Sequence, residues 1–370
     1  MSERTTPEAT RPGPGSAVID HLLGELWQRG GSDLLLTAGS APFLRVDGAL
    51  RPVEGAPLTE TEVDRLVTGV LGGELTDRFR REKQVDFAFS WGERARLRGN
   101  AFVQRGASAL ALRIIPYDVP SCEQLALPAV VAGWAGLPRG FVLVTGPTGS
   151  GKSTSLAALL DHVNRHRPAH ILTIEDPIEY LHHHKRSAVN QREIGTDTDS
   201  FPAALRSALR EDPDVLLLGE MRDPESISAA LTIAETGHLV LATLHTNDTA
   251  QTLDRIVDVF PAAQQPQIRL QLAHTLVGVL NQTLVPRIGG GRVAAFEVLV
   301  GTPAIRNLIR EGKTRQIRNL IATGHRDGMQ TLETGLNVLV ATGTVAYEEA
   351  VRHTAHPEDV RRPPAPAGHG

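Results

Sequence analysis

The stretch that decides the fold is Phe-Val-Leu-Val-Thr-Gly-Pro-Thr-Gly-Ser-Gly-Lys-Ser-Thr, residues 141–154. Its apolar first part predicts a short buried strand, and the leucine- and alanine-rich segment behind it predicts a helix. The glycine-rich spacing between them places backbone N–H groups at a helix N-terminus, where the helix dipole attracts phosphate. We therefore predict a loop that binds the phosphates of ATP. Its residues are Gly146, Pro147, Thr148, Gly149, Ser150, Gly151, Lys152, Ser153 and Thr154.

Two side chains of this loop have predicted roles. Lys152 is expected to bridge the β- and γ-phosphates, and the Ser153 hydroxyl is expected to ligate Mg²⁺. The alternative is a chance glycine-rich turn, but the spacing, the strand and the helix all agree with a nucleotide site. ATP and Mg²⁺ are the expected cofactors.

Hydrolysis of a bound nucleotide also requires a carboxylate that activates water at the end of a neighbouring strand. The apolar run 215–218 is followed by Gly219 and Glu220, so Glu220 emerges where this buried strand ends. Asp214 lies at the entry of the same strand, a position that suits a turn or cap residue. We predict Glu220 as the general base, with a solvated strand-end carboxylate as the alternative.

Further acidic and histidine residues follow other predicted strands. Glu175, Asp176 and Glu179 come after the run 171–174, at the sheet edge where open α/β folds bind ligands. They could hold Mg²⁺ or its water shell, and on spacing alone an ordinary acidic loop is equally compatible. His245 follows the run 239–243 and is placed to sense the γ-phosphate, whereas His238 precedes that run and is expected at the opposite end.

Composition excludes several classes of protein. The chain has 370 residues, a formal charge of −4 and no block of five or more basic residues, which argues against binding nucleic acid. The single cysteine, Cys122, cannot form an internal disulfide and fits a reducing cytosol. No apolar run approaches the roughly 18 residues of a membrane helix, so we expect no direct membrane insertion.

The pattern along the chain predicts two folded domains between disordered ends, residues 1–16 and 356–370. Residues 17–118 are expected to form a small α+β domain, with an Asp47-Gly48 hairpin turn and a capping box that begins at Thr59. Residues 119–355 are expected to form an α/β domain. Its buried parallel strands are predicted at 141–145, 171–174, 215–218 and 239–243.

The part of the chain after Thr249 is predicted to be mostly helical. One helix is well marked, because Thr302 suits an N-cap, Pro303 suits the first turn and Gly312 suits the position just past the end. Its pattern predicts that Arg306, Asn307 and Arg310 are exposed, as a docking helix requires, although a plain surface helix has the same pattern.

Together these motifs resemble the type IV pilus retraction ATPases, the twitching-motility family called PilT, within the secretion ATPase superfamily. The resemblance spans roughly residues 17–350. Besides the phosphate loop it rests on segments similar to the family's Asp box, atypical Walker B and His box, at residues 173–180, 189–193, 209–214, 219–223, 236–239 and 242–248.

The resemblance implies a PAS-like N-terminal domain joined to a RecA-like ATPase domain with a helical C-terminal portion, assembled as a homo-hexamer. It makes Glu179 and Glu220 the principal catalytic carboxylates and makes both His238 and His245 functional. Neighbouring subunits are expected to supply arginines from the N-terminal domain, a pattern that Arg98 and Arg113 match loosely. The implied partner is an inner-membrane pilus platform protein, with the motor cytoplasmic and peripheral at that membrane.

The leading hypothesis is therefore a hexameric ATPase that powers pilus retraction. An accessory subunit similar to retraction-motor paralogues is a second hypothesis, working in a mixed complex with another retraction ATPase. A pilus extension or type II secretion ATPase is a third. Members of that group usually carry a four-cysteine zinc knob, whereas this chain has one cysteine. The net negative charge of the chain argues against a motor that moves nucleic acid.

Overall fold

A computed structural model describes residues 16–363 with the exception of residue 222. The chain divides into two compact units, Met1–Asp118 and Val119–Gly370. Residues 1–15 and 364–370, which fall in the ends expected to be disordered, lie outside the described residues.

The first unit is built on an antiparallel sheet of six strands in the order β3-β2-β1-β6-β5-β4. Two helices pack on this sheet, and leucines such as Leu23, Leu34 and Leu97 form the buried core between the layers. The elements are α1 (Ser16–Gln28), β1 (Asp33–Thr37), β2 (Phe43–Val46), β3 (Ala49–Pro52), α2 (Glu60–Glu82), β4 (Gln84–Trp91), β5 (Ala95–Gln104) and β6 (Ala107–Pro116).

Local sequence signals in the first unit are confirmed. Asp47 and Gly48 have φ values of 51° and 82°, and they connect β2 to β3 as a two-residue turn. Thr59 accepts a hydrogen bond from the Glu62 backbone N–H, while the Glu62 carboxylate accepts one from the Thr59 N–H at 2.8 Å. This reciprocal cap satisfies N–H groups that the first turn of α2 cannot satisfy internally.

The second unit is an α/β fold around a sheet of seven strands in the order β13-β12-β7-β11-β10-β8-β9. All neighbouring pairs are parallel except the edge pair β12–β13. The strands are β7 (Gly140–Thr145), β8 (His170–Glu175), β9 (Ala188–Glu193), β10 (Val215–Leu218), β11 (Leu239–Leu244), β12 (Leu276–Pro286) and β13 (Arg292–Val300).

Helices cover both faces of this sheet. Leu143, Leu172 and Leu216 point into one core, while Val142 and Leu241 point into the other, as alternation along a strand requires. The helices are α3 (Ala129–Trp134), α4 (Lys152–His166), α5 (Phe201–Ala208), α6 (Pro224–Glu235), α7 (Thr249–Asp258), α8 (Gln265–Thr275), α9 (Pro303–Glu311), α10 (Ile317–Thr323), α11 (Leu332–Ala341) and α12 (Tyr347–Arg352).

The four predicted parallel strands are confirmed, and the described part after Thr249 is mostly helical as predicted, but it also contains two strands that the sequence does not predict. Strands β12 and β13 lie in that part, and β12 pairs with β7 directly beside the phosphate loop. The sequence pattern does not predict β12 because Asn281, Gln282 and Thr283 interrupt its apolar run. The helical C-terminal portion is confined to α7 and α8 before these strands and to the segment from Pro303 onward.

The C-terminal segment also differs from its expectation. Residues from His356 were expected to be disordered, yet Val360 is 5% exposed and belongs to a small apolar core with Leu336 and Val340. Asp359 accepts a hydrogen bond from Arg318 at 2.7 Å, and the Arg361 N–H donates to Asn337 Oδ1 at 2.7 Å. The segment is therefore packed at least as far as Arg361.

Across residues 16–221 and 223–363, no helix is long and apolar enough to cross a membrane.

We predict that the packing of β12 depends on the absence of a side chain at Gly278. A Cβ there would lie 2.3 Å from the Trp134 ring and 2.6 Å from the Leu299 carbonyl oxygen, which the sheet holds in place. Gly278→Ala should lower the free energy of unfolding by about 1–3 kcal/mol, measured by urea denaturation.

Gly133→Ala is the matched control, because Gly133 lies in α3 beside Trp134 and a Cβ there meets nothing within 4 Å. It should stabilise the protein by about 0.5–1 kcal/mol, since alanine favours a helix over glycine. Equal effects of the two substitutions would contradict the described packing of β12.

Candidate nucleotide-binding site

The glycine-rich loop connects the end of β7 at Thr145 to the start of α4 at Lys152. Gly146, Gly149 and Gly151 have φ values of 140°, 79° and 88°, a region that side chains with a Cβ rarely adopt. The loop can therefore curl tightly and direct backbone N–H groups toward one centre. Such a concave set of N–H groups at a helix N-terminus binds anions.

Lys152 lies at the centre of this loop and is only 6% exposed. Its Nζ donates hydrogen bonds to the carbonyl oxygens of Gly146 and Pro147, each at 2.9 Å. Burial lowers the pKa of Lys152, while the negative charges of Glu220 and Glu179 act in the opposite direction. The structure thus gathers one buried cation and two carboxylates around the loop.

His245 connects Lys152 to Glu220. Lys152 Nζ lies 3.3 Å from His245 Nδ1, and His245 Nε2 lies 3.4 Å from Glu220 Oε1. An ammonium group only donates, so Nδ1 must be the acceptor and the neutral imidazole carries its proton on Nε2, toward the carboxylate. His245 can therefore respond both to the lysine of the phosphate loop and to the predicted general base.

Backbone contacts hold the loops that carry these side chains together. The Gly219 N–H donates to the Ile174 carbonyl at 2.8 Å, and the Met221 N–H donates to the Thr243 carbonyl at 3.3 Å. The Thr243 hydroxyl in turn donates to the Gly219 carbonyl. Glu220 is consequently fixed between the ends of β8 and β11, and together with Asp176 it lines a cavity of about 260 Å³.

The three carboxylates of the acidic loop have different surroundings. Glu175 Oε1 accepts hydrogen bonds from the Thr173 hydroxyl at 2.7 Å and from Gln191 at 3.1 Å, and burial raises the pKa of Glu175 to about 7. Asp176 and Glu179 are exposed. Glu175 is therefore engaged in holding the loop itself, whereas the other two carboxylates remain accessible to ions in solvent.

His238 lies away from this group of side chains, and the two arginines belong to the other unit. His238 precedes β11, so the six residues of that strand, about 20 Å of chain, separate it from His245. Its Nδ1 donates to the Ile233 carbonyl at 3.0 Å. Arg98 and Arg113 belong to the first unit, where they face each other on β5 and β6 and are exposed. Arg113 also donates to Asp33 at 2.8 Å.

The donor set of the loop fits the phosphates of a nucleotide. Besides the positive-φ glycines and the buried ammonium, Ser150 Oγ is buried and has no hydrogen-bond partner among the described residues. Ser153 lies in the first turn of α4 and is partly exposed, so its hydroxyl is accessible as an Mg²⁺ ligand. Lys152 and Ser153 therefore suit the roles expected from the spacing.

A group of side chains whose spacing could admit a metal ion lies elsewhere. Within residues 16–221 and 223–363, the ligand atoms that lie within 4.8 Å of one another belong to His356, Glu358 and Asp359. None of these was expected to bind a metal, and Glu358 and Asp359 are exposed. The predicted carboxylates Glu175, Asp176 and Glu179 do not form such a cluster among the residues that the structure describes.

The expectation for α9 is wrong for one residue. Arg306 donates to the carbonyl oxygens of Gly301 at 2.8 Å and of His274 and Leu276 at 3.0 Å each. Its guanidinium thus joins α9 to the end of α8 and the start of β12. Asn307 and Arg310 are exposed, as the sequence predicts.

Sequence reasoning missed Asn281 and Gln282. Both are buried polar residues of β12 that hydrogen-bond to the end of β7, the phosphate loop and the loop after β11. The available signal was the break that they make in an apolar run. The function of these two residues depends on which strand lies beside β12, and the sequence alone does not identify that strand.

The fold and the site together define the class of protein. A mostly parallel sheet covered by helices, a strand–loop–helix phosphate site with a buried lysine, and a carboxylate at the end of another strand of the same sheet are the parts of a P-loop ATPase.

Comparisons with known proteins define the family within that class. Residues 126–291 match the family model of type II/IV secretion system proteins. The chain is 50% identical to the type IV pilus retractation ATPase PilT of Pseudomonas aeruginosa, over 92% of this chain and 99% of that protein. It is 49% identical to a twitching motility protein of Neisseria gonorrhoeae, over 86% of each chain.

Further comparisons point the same way. The type IV pilus ATPase PilU of Pseudomonas aeruginosa is 41% identical over 93% of this chain and 90% of that protein. A crystal structure of the pilus retraction motor PilT with bound ADP aligns with a TM-score of 0.82 and 45% identity, over 92% of this chain and 98% of that one. The chain belongs to the PilT family of pilus retraction ATPases and is an ATP hydrolase.

We predict that Glu175 weakens the folded state at neutral pH. Its pKa rises from an ordinary 4.5 to about 7, so the folded protein disfavours the charged form and loses stability as the pH rises through this interval. Glu175→Gln should therefore be more stable than the parent at pH 8, by at most about 3 kcal/mol. The gain should shrink toward pH 4.5.

Thermal denaturation of the two proteins without nucleotide, at several pH values, measures this difference. Glu179→Gln is the control, because it removes an exposed carboxylate from the same loop and should change stability little. A Glu175→Gln gain that stays constant from pH 4.5 to pH 8 would disagree with the raised pKa.

Proposed function

We propose that this ATPase is the motor that retracts a type IV pilus. The observation that carries the proposal is the connected group of Lys152, His245 and Glu220 at one edge of the sheet. It supplies a phosphate ligand, a sensor and a base. The relatives named for pilus retraction and twitching motility match the chain over nearly its whole length.

In the proposed reaction, Lys152 exchanges the carbonyl oxygens of its own loop for phosphate oxygens when ATP binds. Glu220 accepts a proton from the attacking water, and His245 links that carboxylate to the lysine. The hydroxyl of Ser153 would hold Mg²⁺, with Glu179 and Asp176 orienting its waters and Glu175 supporting the acidic loop. When bound, the ion polarises the phosphate oxygens as a Lewis acid.

The proposal extends to the assembly. Residues 17–118 would form a PAS-like domain and residues 119–355 a RecA-like domain, arranged as a homo-hexamer. Arg98 and Arg113 would then complete the site of a neighbouring subunit, where their paired exposed positions would suit phosphate recognition. His238, at the far edge of the sheet, would act at a subunit boundary. An inner-membrane platform protein would hold the motor at the membrane.

A second candidate is an accessory role beside a paralogous retraction ATPase. The similarity to PilU favours it, since that pilus ATPase matches nearly the full chain. The two candidates differ in the turnover of the isolated protein. Steady ATP hydrolysis by the purified hexamer supports the motor, whereas a folded hexamer without turnover, activated only by a second ATPase, supports the accessory role.

We predict that Glu220→Gln abolishes hydrolysis and preserves nucleotide binding. The amide keeps the size of the side chain but cannot accept a proton, and loss of a general base lowers turnover by about 10²–10⁴. Lys152→Ala is the contrasting variant, which should lose binding as well. ADP titration calorimetry and phosphate release measure the two properties. Undiminished hydrolysis by Glu220→Gln would exclude this residue as the base.

We also predict a retraction phenotype in the source organism. Deletion of the gene should leave excess surface pili and abolish twitching, because fibres would assemble but not be withdrawn. Restoring the gene should reverse both effects, and restoring Glu220→Gln should reverse neither. Electron microscopy of surface pili and a stab-plate motility assay give the two readouts. Cells without pili would instead indicate an extension motor.

A further inference from the structure

Strand β12 brings Gln282 against the phosphate loop. The parallel pairing sets Asn281 opposite Thr145, the last residue of β7, so Gln282 lies alongside Gly146. Gln282 is 4% exposed and makes two short hydrogen bonds. Its Nε2 donates to the Ser150 carbonyl at 2.6 Å, and its Oε1 accepts from the Ser155 hydroxyl at 2.6 Å.

The partners fix the orientation of the Gln282 amide. A carbonyl oxygen only accepts, so the group that faces Ser150 must be the NH₂ group. The amide oxygen then points to Ser155, whose hydroxyl can donate. One side chain thus connects the tip of the loop to the first turn of α4. Reversing the amide would set its oxygen against the Ser150 carbonyl oxygen and lose that bond.

The loop lies so close to β12 that two of its glycines leave no room for a Cβ. A Cβ on Gly146 would lie 2.2 Å from the Gln282 backbone oxygen, and one on Gly151 would lie 2.7 Å from Gln282 Nε2. The path of the loop is therefore set by β12 on one side as well as by its own dihedral angles.

Asn281 extends the same support to the neighbouring loop. Its Nδ2 donates to Thr145 Oγ1 and to the Thr246 carbonyl, each at 3.0 Å, and its side chain is fully buried. Thr246 directly follows His245. The dipeptide Asn281-Gln282 consequently holds both the phosphate loop and the loop that carries the histidine.

We propose that Gln282 is a positioning residue for nucleotide binding. By holding the Ser150 carbonyl, it sets the peptide plane between Ser150 and Gly151, and thereby the direction of the Gly151 N–H. That direction decides how well the loop receives a phosphate, because oriented N–H groups bind an anion without reorganisation. Gln282 acts through the loop backbone. The proposal concerns ATP binding and is independent of the role in pilus retraction.

The test compares Gln282→Met with Gln330→Met in the full-length protein. Gln330 Nε2 donates to the Phe296 carbonyl at 2.9 Å on the adjacent strand β13, so both substitutions remove one amide-to-carbonyl bond from the same sheet. Both are expected to lower thermal stability. Only Gln282→Met should weaken ADP binding, by at least tenfold in titration calorimetry.

Steady-state kinetics provides the second readout. For Gln282→Met the KM for ATP should rise about tenfold while kcat stays within threefold, because the substitution disturbs phosphate binding and leaves Glu220 in place. ADP affinity within twofold of the parent, or an equal loss in Gln330→Met, would overturn the proposal. So would a fall in kcat at unchanged KM.

Ser155→Ala keeps the proposal testable if Gln282→Met does not fold. It removes only the hydrogen bond that the Gln282 amide oxygen accepts, which helps to hold the amide against the Ser150 carbonyl, and should weaken ADP binding about threefold. Where Gln282→Met does fold, the two losses should not add in the double variant, because Ser155 acts through Gln282. Unchanged ADP affinity in Ser155→Ala, or additive losses in the double variant, would overturn the proposal.

Discussion

The buried ammonium group of Lys152 is the constraint on which the second unit depends. Removing a cation from water is costly unless hydrogen bonds and opposite charges compensate. Here two loop carbonyls and His245 accept hydrogen bonds from it. Burial lowers the pKa of Lys152, and the negative charges of Glu220 and Glu179 act against that shift. The ends of β7, β10 and β11 must therefore converge at one edge of the sheet, since each delivers part of this compensation.

That convergence explains the order of the strands. The predicted base follows β10 and the histidine follows β11, and both strands run parallel to β7. In a parallel sheet every C-terminal end lies at the same edge, so side chains distant in sequence meet without a special connection. The acidic loop after β8 joins them by the same rule, through the contact of Gly219 with Ile174.

Much of this arrangement could be predicted from the sequence because it depends on local patterns. The phosphate loop, the four buried runs and the helix cap at Thr302 each follow from a few consecutive residues. Interactions between distant segments could not be predicted in this way. Arg306 matches the exposed face of a helix, but its guanidinium reaches three backbone carbonyls of other segments. The engagement of Glu175 by Thr173 and Gln191 likewise appears only in three dimensions.

Strand β12 shows why polar residues that support a binding site can prevent their own strand from being recognised in the sequence. A glycine-rich loop carries backbone carbonyls that neither a helix nor a sheet satisfies, so the strand beside it must offer polar side chains. Gln282 does so for the phosphate loop and Asn281 for the loop after β11, from nearly fully and fully buried positions. They break the apolar pattern by which a buried strand is recognised. A polar dipeptide inside an otherwise apolar run, in a chain that contains a phosphate loop, therefore indicates the strand that lies next to that loop.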